Sequence, residues 1–253
     1  MPKSARDAGA PGRMPRLHVA GDLNPTAPLV LDQSQVNYLR NVMRLAAGSR
    51  FLAFNGRDGE WLMSLTEIDR KKGAARTVEQ TRLQTPIPAL RYCFAPLKHA
   101  RLDYMVQKAT EMGAGILQPV LTRRTVAARV NAQRMTANAV EAAEQCNLLT
   151  IPEIAEPVAF DRLIDGWPSA VPLVYCDEAA PIASPLEALG GLVPGPVGVL
   201  VGPEGGFTPE ERESLRRRDF VVPIALGPRI MRGDTAAVAA MAVIQAVLGD
   251  WRS

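Results

Sequence analysis

Two segments near the C-terminus each pass from a short apolar run through a glycine-containing loop into a helix-forming stretch. In the first, VGVLV at 197–201 is followed by GPEGGF at 202–207 and then by TPEERESLRRR. In the second, VVPIAL at 221–226 leads through GPRIMRGDTA into AAVAAMAVIQAVLG. Repeated strand–loop–helix units indicate a parallel α/β sheet, which binds ligands beyond the carboxyl ends of its strands.

The first loop matches neither of two familiar phosphate-binding patterns. It lacks the spacing G-x-G-x-x-G, and Gly206 is followed by Phe207 rather than by the Lys of a P-loop. A helix is predicted to begin after it, with Thr208 as the N-cap and Glu211 completing a capping box. Glycines here allow the backbone to approach a ligand closely. Because neither phosphate-binding pattern is matched, we expect a ligand other than a dinucleotide or a triphosphate.

The second loop carries two arginines, Arg229 and Arg232, and enters a helix that is apolar nearly all round. We expect this helix to begin at about Ala236, with Asp234 or Thr235 as its cap. A helix of this composition must be buried on every side, either inside its own domain or against a second subunit.

The rest of the chain divides into three parts. Residues 1–15 form a predicted disordered leader, within which Met14 is an alternative candidate for the start. Residues 16–86 carry short apolar runs and one hairpin signal, NGRDG, which is typical of a small β-rich domain. Its one predicted helix, Ser34–Leu45, places Arg40 and Arg44 on one face. Residues 87–253 alternate strand and helix throughout.

Charge is distributed unevenly along the chain. There are 21 Lys and Arg against 10 Asp and Glu from Met1 to Thr136, and 8 against 16 from Ala137 to Ser253. A basic N-terminal half favours a polyanionic partner such as nucleic acid. Three cysteines without a C-x-x-C pair predict neither disulfides nor zinc and favour a cytoplasmic location. No membrane span and no metal site are expected from the sequence.

Four motifs in order resemble those of one family. The two loops, read as LVGPEGGFTPEE and LGPRIMRGDTA, are accompanied by QKATEMGA at 107–114 and EAAEQCNLLTIPE at 141–153. Together they resemble the bacterial 16S ribosomal RNA (uracil N3)-methyltransferases of the SPOUT superfamily, and the likeness runs from about Pro15 to Leu248. It implies an α/β domain with a deep trefoil knot, the SPOUT α/β-knot domain, at 87–253. A small PUA-like β-barrel at 16–86 would precede it and hold RNA.

The resemblance also implies an activity, a cofactor and partners. The activity is methylation of N3 of a uridine in 16S ribosomal RNA by S-adenosylmethionine, and the partners are the small ribosomal subunit and a second copy in a homodimer. Arg232 is the implied catalytic residue. Arg40, Arg44, Arg123 and Arg124 are the expected RNA contacts. The implied cofactor-binding residues are Leu200, Gly202, Pro203, Glu204, Gly205, Gly206, Leu226, Gly227, Ile230, Met231, Arg232 and Thr235.

Several roles stay open on sequence grounds. His99 is a candidate proton acceptor, whereas Glu141, Glu144 and Gln145 share a helix with either a site-lining or a structural role. Lys108 and Glu111, three residues apart, are expected to pair. Two other functions are alternatives: another SPOUT RNA methyltransferase, such as a ribose 2′-O-methyltransferase, and a non-catalytic RNA-binding ribosome-assembly factor.

Overall fold

The computed structural model describes residues 14–98, 100–126, 129–182 and 184–252. Most of the predicted leader, and also His99, therefore lie outside the described residues. The chain forms two compact units. The first contains residues 14–86 together with Ala143–Thr150, a stretch that the sequence motifs assign to the second domain. The second contains Ile87–Ala142 and the residues from Ile151 onward.

The first unit is built on a five-stranded sheet. Its strands are β1 (Arg16–His18), β2 (Leu29–Leu31), β3 (Arg50–Phe54), β4 (Glu60–Ile68) and β5 (Gly73–Arg82), in the order β1-β3-β4-β5-β2. Strands β1 and β3 are parallel, and the other pairs are antiparallel. The hairpin predicted at NGRDG is confirmed, since Phe54 pairs with Glu60 across it. Leu39, Phe51 and Met63 form the centre of the core.

The helix predicted over Ser34–Leu45 is wrong in its second half. An α-helix, α1, covers Gln33–Asn37, and a π-helical turn follows over Tyr38–Val42. The N–H of Met43 reaches back five residues to the carbonyl of Tyr38, and Arg44 then adopts φ 55°. A left-handed residue ends a helix, so Arg40 and Arg44 do not share an α-helical face.

The second unit is a parallel sheet with helices, which confirms the α/β class. Its strands are β6 (Leu90–Phe94), β7 (Ala114–Leu121), β8 (Glu153–Ile154), β9 (Val158–Ala159), β10 (Leu173–Cys176), β11 (Val197–Val201) and β12 (Val221–Ile224). They run β12-β10-β11-β6-β7-β8, and β9 also pairs with β7. The helices are α2 (Ala100–Glu111), α3 (Ala132–Gln145), α4 (Phe160–Asp165), α5 (Pro185–Leu189), α6 (Pro209–Arg216) and α7 (Gly233–Val247), and a 3₁₀ turn covers Asp250–Arg252. The last three residues of α3 belong to the first unit.

The central strands explain where the loops go. Every residue of β11 is buried, because helices cover both faces of the sheet at this point. Strand β10 pairs with β11 on one side and with β12 on the other, all three parallel. Their carboxyl ends therefore meet at one edge, and the two glycine loops leave that edge on either side of the end of β10. The trefoil knot stays a prediction.

Helix α7 differs from its prediction in two respects. It begins at Gly233 with Arg232 in the N-cap position, and neither Asp234 nor Thr235 caps it. Asp234 instead accepts a hydrogen bond from the N–H of Thr235 inside the first turn. Within one chain the helix is buried on one side only, through residues such as Ala240 and Ile244, while Val238 is partly buried and Ala246 is exposed. Among the described residues, no helix has the length and apolar character needed to cross a membrane.

Candidate functional site

A pocket of about 680 Å³ opens at the carboxyl edge of the parallel sheet in the second unit. It is lined by the ends of three strands, at Cys176, Val201 and Ile224, and by both glycine loops. The start of α7, at Gly233 and Ala236, closes one side. This is the location at which open α/β sheets bind small molecules.

Two positions in the first loop require glycine, each for a different physical reason. At Gly202, a Cβ atom would lie 2.6 Å from the ring of Phe207, so the space is already taken by the chain itself. Phe207 is buried, with its ring 5.3 Å from that of Tyr175 and 5.8 Å from that of Phe160. At Gly206 the backbone has φ +67°, a conformation that glycine adopts without strain.

The predicted capping box at the start of α6 is confirmed. The hydroxyl of Thr208 accepts the N–H of Glu211, and the Glu211 carboxylate accepts the N–H of Thr208 at 2.8 Å. The same carboxylate accepts the backbone N–H of Arg123 at 2.8 Å. Arg124, next in the chain, lines the pocket and donates from Nη1 to the carbonyl of Gly205 at 2.6 Å.

Most of the predicted cofactor-binding residues line the pocket. Leu200 does not, because its side chain is fully buried in the sheet. Thr235 does not either, because it lies exposed in the first turn of α7. Those that do are Gly202, Pro203, Glu204, Gly205, Gly206, Leu226, Gly227, Ile230, Met231 and Arg232.

Five arginines line the pocket, but their charges are not equally available. Arg101 lies 3.5 Å from Glu204, and Arg212 pairs with two acidic side chains, Asp177 and Glu178. Arg229 and Arg232 are exposed, and neither has an acidic partner among the described residues. An anion that forms in the pocket would therefore meet free positive charge on the second loop.

Two acidic residues at the end of β10, Asp177 and Glu178, border the pocket and are not among the candidates from the sequence. The carboxylate of Asp177 is fully buried and accepts hydrogen bonds from Arg212 at 3.2 Å and Arg216 at 3.3 Å. The hydrogen bond from Arg212 also lowers the pKa of Glu178. Their signal in the sequence is the position directly after the apolar run LVYC, at the carboxyl end of a strand. Beside them, burial raises the pKa of the Cys176 thiol to about 12, so this thiol stays protonated at neutral pH.

The other candidate residues are not among those that line the pocket. Arg40 and Arg44 belong to the first unit, where Arg40 donates to the side chain of Asn41. Glu144 accepts the backbone N–H of His18 at 2.8 Å, which supports a structural role for it. Lys108 and Glu111 form the expected ion pair at 2.7 Å. Among the described residues, no group of three or more His, Cys, Asp or Glu side chains gathers to hold a metal ion.

Comparison with known proteins gives two family matches. Residues 84–245 match a model described as an RNA methyltransferase domain, and residues 31–77 match an RNA methyltransferase PUA domain. A protein from Rickettsia conorii named Ribosomal RNA small subunit methyltransferase E is 30% identical, over 83% of this chain and 86% of its own length. A protein of the same name from Bacillus subtilis is 29% identical, over 83% of this chain and 86% of that protein.

Two solved structures are similar over nearly the whole chain. One is a Ribosomal RNA small subunit methyltransferase E from Neisseria gonorrhoeae bound to S-adenosyl methionine. It has a TM-score of 0.83 and 25% identity, and it covers 94% of this chain and 100% of its own. The other, from Legionella pneumophila in complex with the same cofactor, has a TM-score of 0.82 and 26% identity, and covers 94% and 99%.

A parallel α/β domain with a pocket at its carboxyl edge, preceded by a PUA domain, defines an RNA methyltransferase of the SPOUT class. Within that class, the chain belongs to the family of the ribosomal RNA small subunit methyltransferases E.

Proposed function

We propose that this chain transfers a methyl group from S-adenosylmethionine to N3 of a uridine in the 16S ribosomal RNA of the small subunit, giving 3-methyluridine. One observation carries the proposal. Both glycine loops open into the same pocket, where the free positive charge of Arg229 and Arg232 lies beside a surface suited to a small molecule. The names of the relatives and the cofactor bound in two similar structures support it.

The pocket fits S-adenosylmethionine in size and in chemistry. Its volume of about 680 Å³ lies within the usual range of roughly 300–1,000 Å³ for small-molecule sites. Val201, Leu226 and Met231 offer apolar surface to an adenine ring, and Glu178 and Glu204 offer acceptors for hydroxyl and ammonium groups. When bound, S-adenosylmethionine supplies an electrophilic methyl group on a positively charged sulfur.

Arg232 is proposed as the catalytic residue. Uracil N3 must lose its proton before it can accept a methyl group, and negative charge then spreads over the ring. Arg232 lies in the N-cap position of α7, so its backbone is fixed while its side chain borders the pocket. Its guanidinium would stabilise the uracil anion, and the residues that line the pocket would hold the acceptor in line with the methyl group. Arg229 is the second candidate for this role.

Arg40, Arg44 and Arg123 are proposed as phosphate contacts to the ribosomal RNA, which would position the subunit without reading its sequence. The apolar side of α7 that its own unit does not cover, at Val238, Ala242 and Ala246, is proposed as part of a homodimer interface. A reaction on the small ribosomal subunit takes place in the cytoplasm, which is the proposed location.

The test is to identify the methylated nucleoside. Purified protein is incubated with S-adenosylmethionine and with small subunits that lack the modification, and the digested RNA is analysed by mass spectrometry against standards. We expect 3-methyluridine with the wild-type protein and a much smaller amount with Arg232→Ala. A 2′-O-methyl nucleoside would assign the chain to a different methyltransferase activity. If the wild-type protein did not bind S-adenosylmethionine, the result would favour the alternative that this chain is a non-catalytic RNA-binding factor.

A further inference from the structure

Glu211 links two segments that are far apart in sequence. From the first turn of α6, one of its carboxylate oxygens accepts the backbone N–H of Arg123, 88 residues away, at 2.8 Å. The other oxygen accepts the backbone N–H of Thr208 at 2.8 Å. The side chain is buried, and hydrogen bonds to a carboxylate are strong away from bulk water. One carboxylate therefore ties the turn after β7 to the start of α6.

Arg124 makes a second connection from the same turn to the first glycine loop. Its Nη1 donates to the carbonyl of Gly205 at 2.6 Å. Its aliphatic stem also covers that glycine, since a Cβ atom at Gly205 would lie 3.4 Å from Cδ of Arg124. Arg124 therefore lines the pocket. A residue that only contacted RNA phosphate would not need this position.

The turn that carries both connections is itself fixed. The N–H of Thr122 donates to the hydroxyl of Thr125 at 2.8 Å, and the N–H of Thr125 donates to the carbonyl of Thr122 at 3.2 Å. On the loop side, the N–H of Gly206 closes a turn on the carbonyl of Pro203 at 2.8 Å. The backbone between Gly205 and Thr208 is consequently linked to the turn after β7 at both ends, at Gly205 directly through Arg124 and at Thr208 through Glu211.

We infer that Glu211 and Arg124 are positioning residues for S-adenosylmethionine, because together they hold the first glycine loop in its binding shape before the cofactor arrives. The inference rests on the proposed function, since it takes S-adenosylmethionine as the ligand of the pocket. Binding to a loop already in its bound shape costs less conformational freedom, so the loss of either residue weakens cofactor affinity.

The experiment measures S-adenosylmethionine binding by isothermal titration calorimetry, together with steady-state methylation kinetics. Arg124→Ala is expected to raise the Kd and the KM for the cofactor roughly tenfold, the loss expected for one hydrogen bond to a charged group, while kcat at saturating cofactor changes little. Arg123→Ala is the matched control for cofactor affinity, because it removes the adjacent guanidinium but keeps the N–H that Glu211 accepts. It is expected to leave the Kd unchanged.

Glu211→Gln is the second test, because an amide cannot accept both N–H groups without turning a donor toward one of them. Its expected effect is also a roughly tenfold rise in Kd, and the double variant with Arg124→Ala is expected to show less than the product of the two effects, since both act on one loop. Glu210→Gln removes the same charge from the neighbouring exposed position and is expected to bind as the wild type does.

The outcomes separate this inference from the proposed function. If wild-type protein binds no S-adenosylmethionine, both are overturned. If it binds and methylates RNA while Arg124→Ala and Glu211→Gln bind the cofactor equally well, only the positioning role is overturned. A loss of RNA affinity in Arg124→Ala, with cofactor affinity kept, would return Arg124 to the role of a phosphate contact.

Discussion

Replacing Gly202 by alanine would place a methyl group against the buried ring of Phe207. The added Cβ atom would lie 2.6, 3.0 and 3.1 Å from three ring carbons. Carbon atoms in contact prefer about 3.5–4.0 Å, so the ring or the loop must shift by roughly 1 Å. The ring cannot move freely, because the rings of Tyr175 and Phe160 pack against it.

The expected cost follows from that geometry. Overpacking of a buried contact costs about 1–3 kcal/mol, and we expect Gly202→Ala to destabilise the protein by that amount. Because Gly202 also lines the pocket, the shift should weaken S-adenosylmethionine binding. Replacing Phe207 by leucine removes the ring atoms that clash. The double variant should therefore be more stable than the two single effects predict, by about 1 kcal/mol.

Urea unfolding followed by circular dichroism would measure stability, and calorimetric titration would measure cofactor affinity. Gly191→Ala is the matched control, because a Cβ atom there would meet nothing within 4 Å and should change neither quantity. The reasoning would be refuted if Gly202→Ala were as stable as the wild type. It would also be refuted if Phe207→Leu added its full cost to that of Gly202→Ala, since the clash would then not be the cause.

Three further predictions concern other parts of the chain. Arg16→Met should destabilise the protein by about 3 kcal/mol in urea unfolding, because the buried carboxylate of Glu60 loses its ion pair at 2.6 Å and keeps only Arg82 at 3.9 Å; an unchanged midpoint would contradict this. Iodoacetamide at pH 8 should label only the exposed Cys146 in native protein, because burial raises the pKa of the Cys93 and Cys176 thiols to about 12. Peptide mass spectrometry would measure the labelling, and rapid labelling of Cys93 or Cys176 would contradict this prediction. Arg232→Ala should lower kcat on small subunits by about 10²-fold while cofactor binding persists, and an unchanged kcat would remove Arg232 from the chemistry.

The order of strands, glycine loops and helices along the chain predicted a parallel sheet, because each of these elements is marked by consecutive residues. A buried strand such as Val197–Val201, followed by a capping box at Thr208 and Glu211, carries its own signal in consecutive residues. The π-helical turn after Asn37 carries no such signal, since the same apolar spacing fits an ordinary helix. The cap of α7 was misplaced because Arg232 takes the N-cap position without any side-chain hydrogen bond.

The sequence locates the two loops that border the pocket, but it does not show which distant side chains pair beside them. Gly205 and Arg124 are 81 residues apart, and only the folded chain shows that they touch. The same holds for Asp177 and its partners Arg212 and Arg216, more than 30 residues further along the chain. Contacts at such separations depend on strand order, which local patterns of consecutive residues do not reveal.

The most direct test of the central claim is hydrogen–deuterium exchange with and without S-adenosylmethionine. The claim is that the loops 202–207 and 226–232 form one cofactor site at the edge of the sheet. We predict that the cofactor slows exchange in both loops and at the start of α7, and that exchange in the first unit is unchanged. Protection confined to one loop, or located mainly in the first unit, would contradict the account.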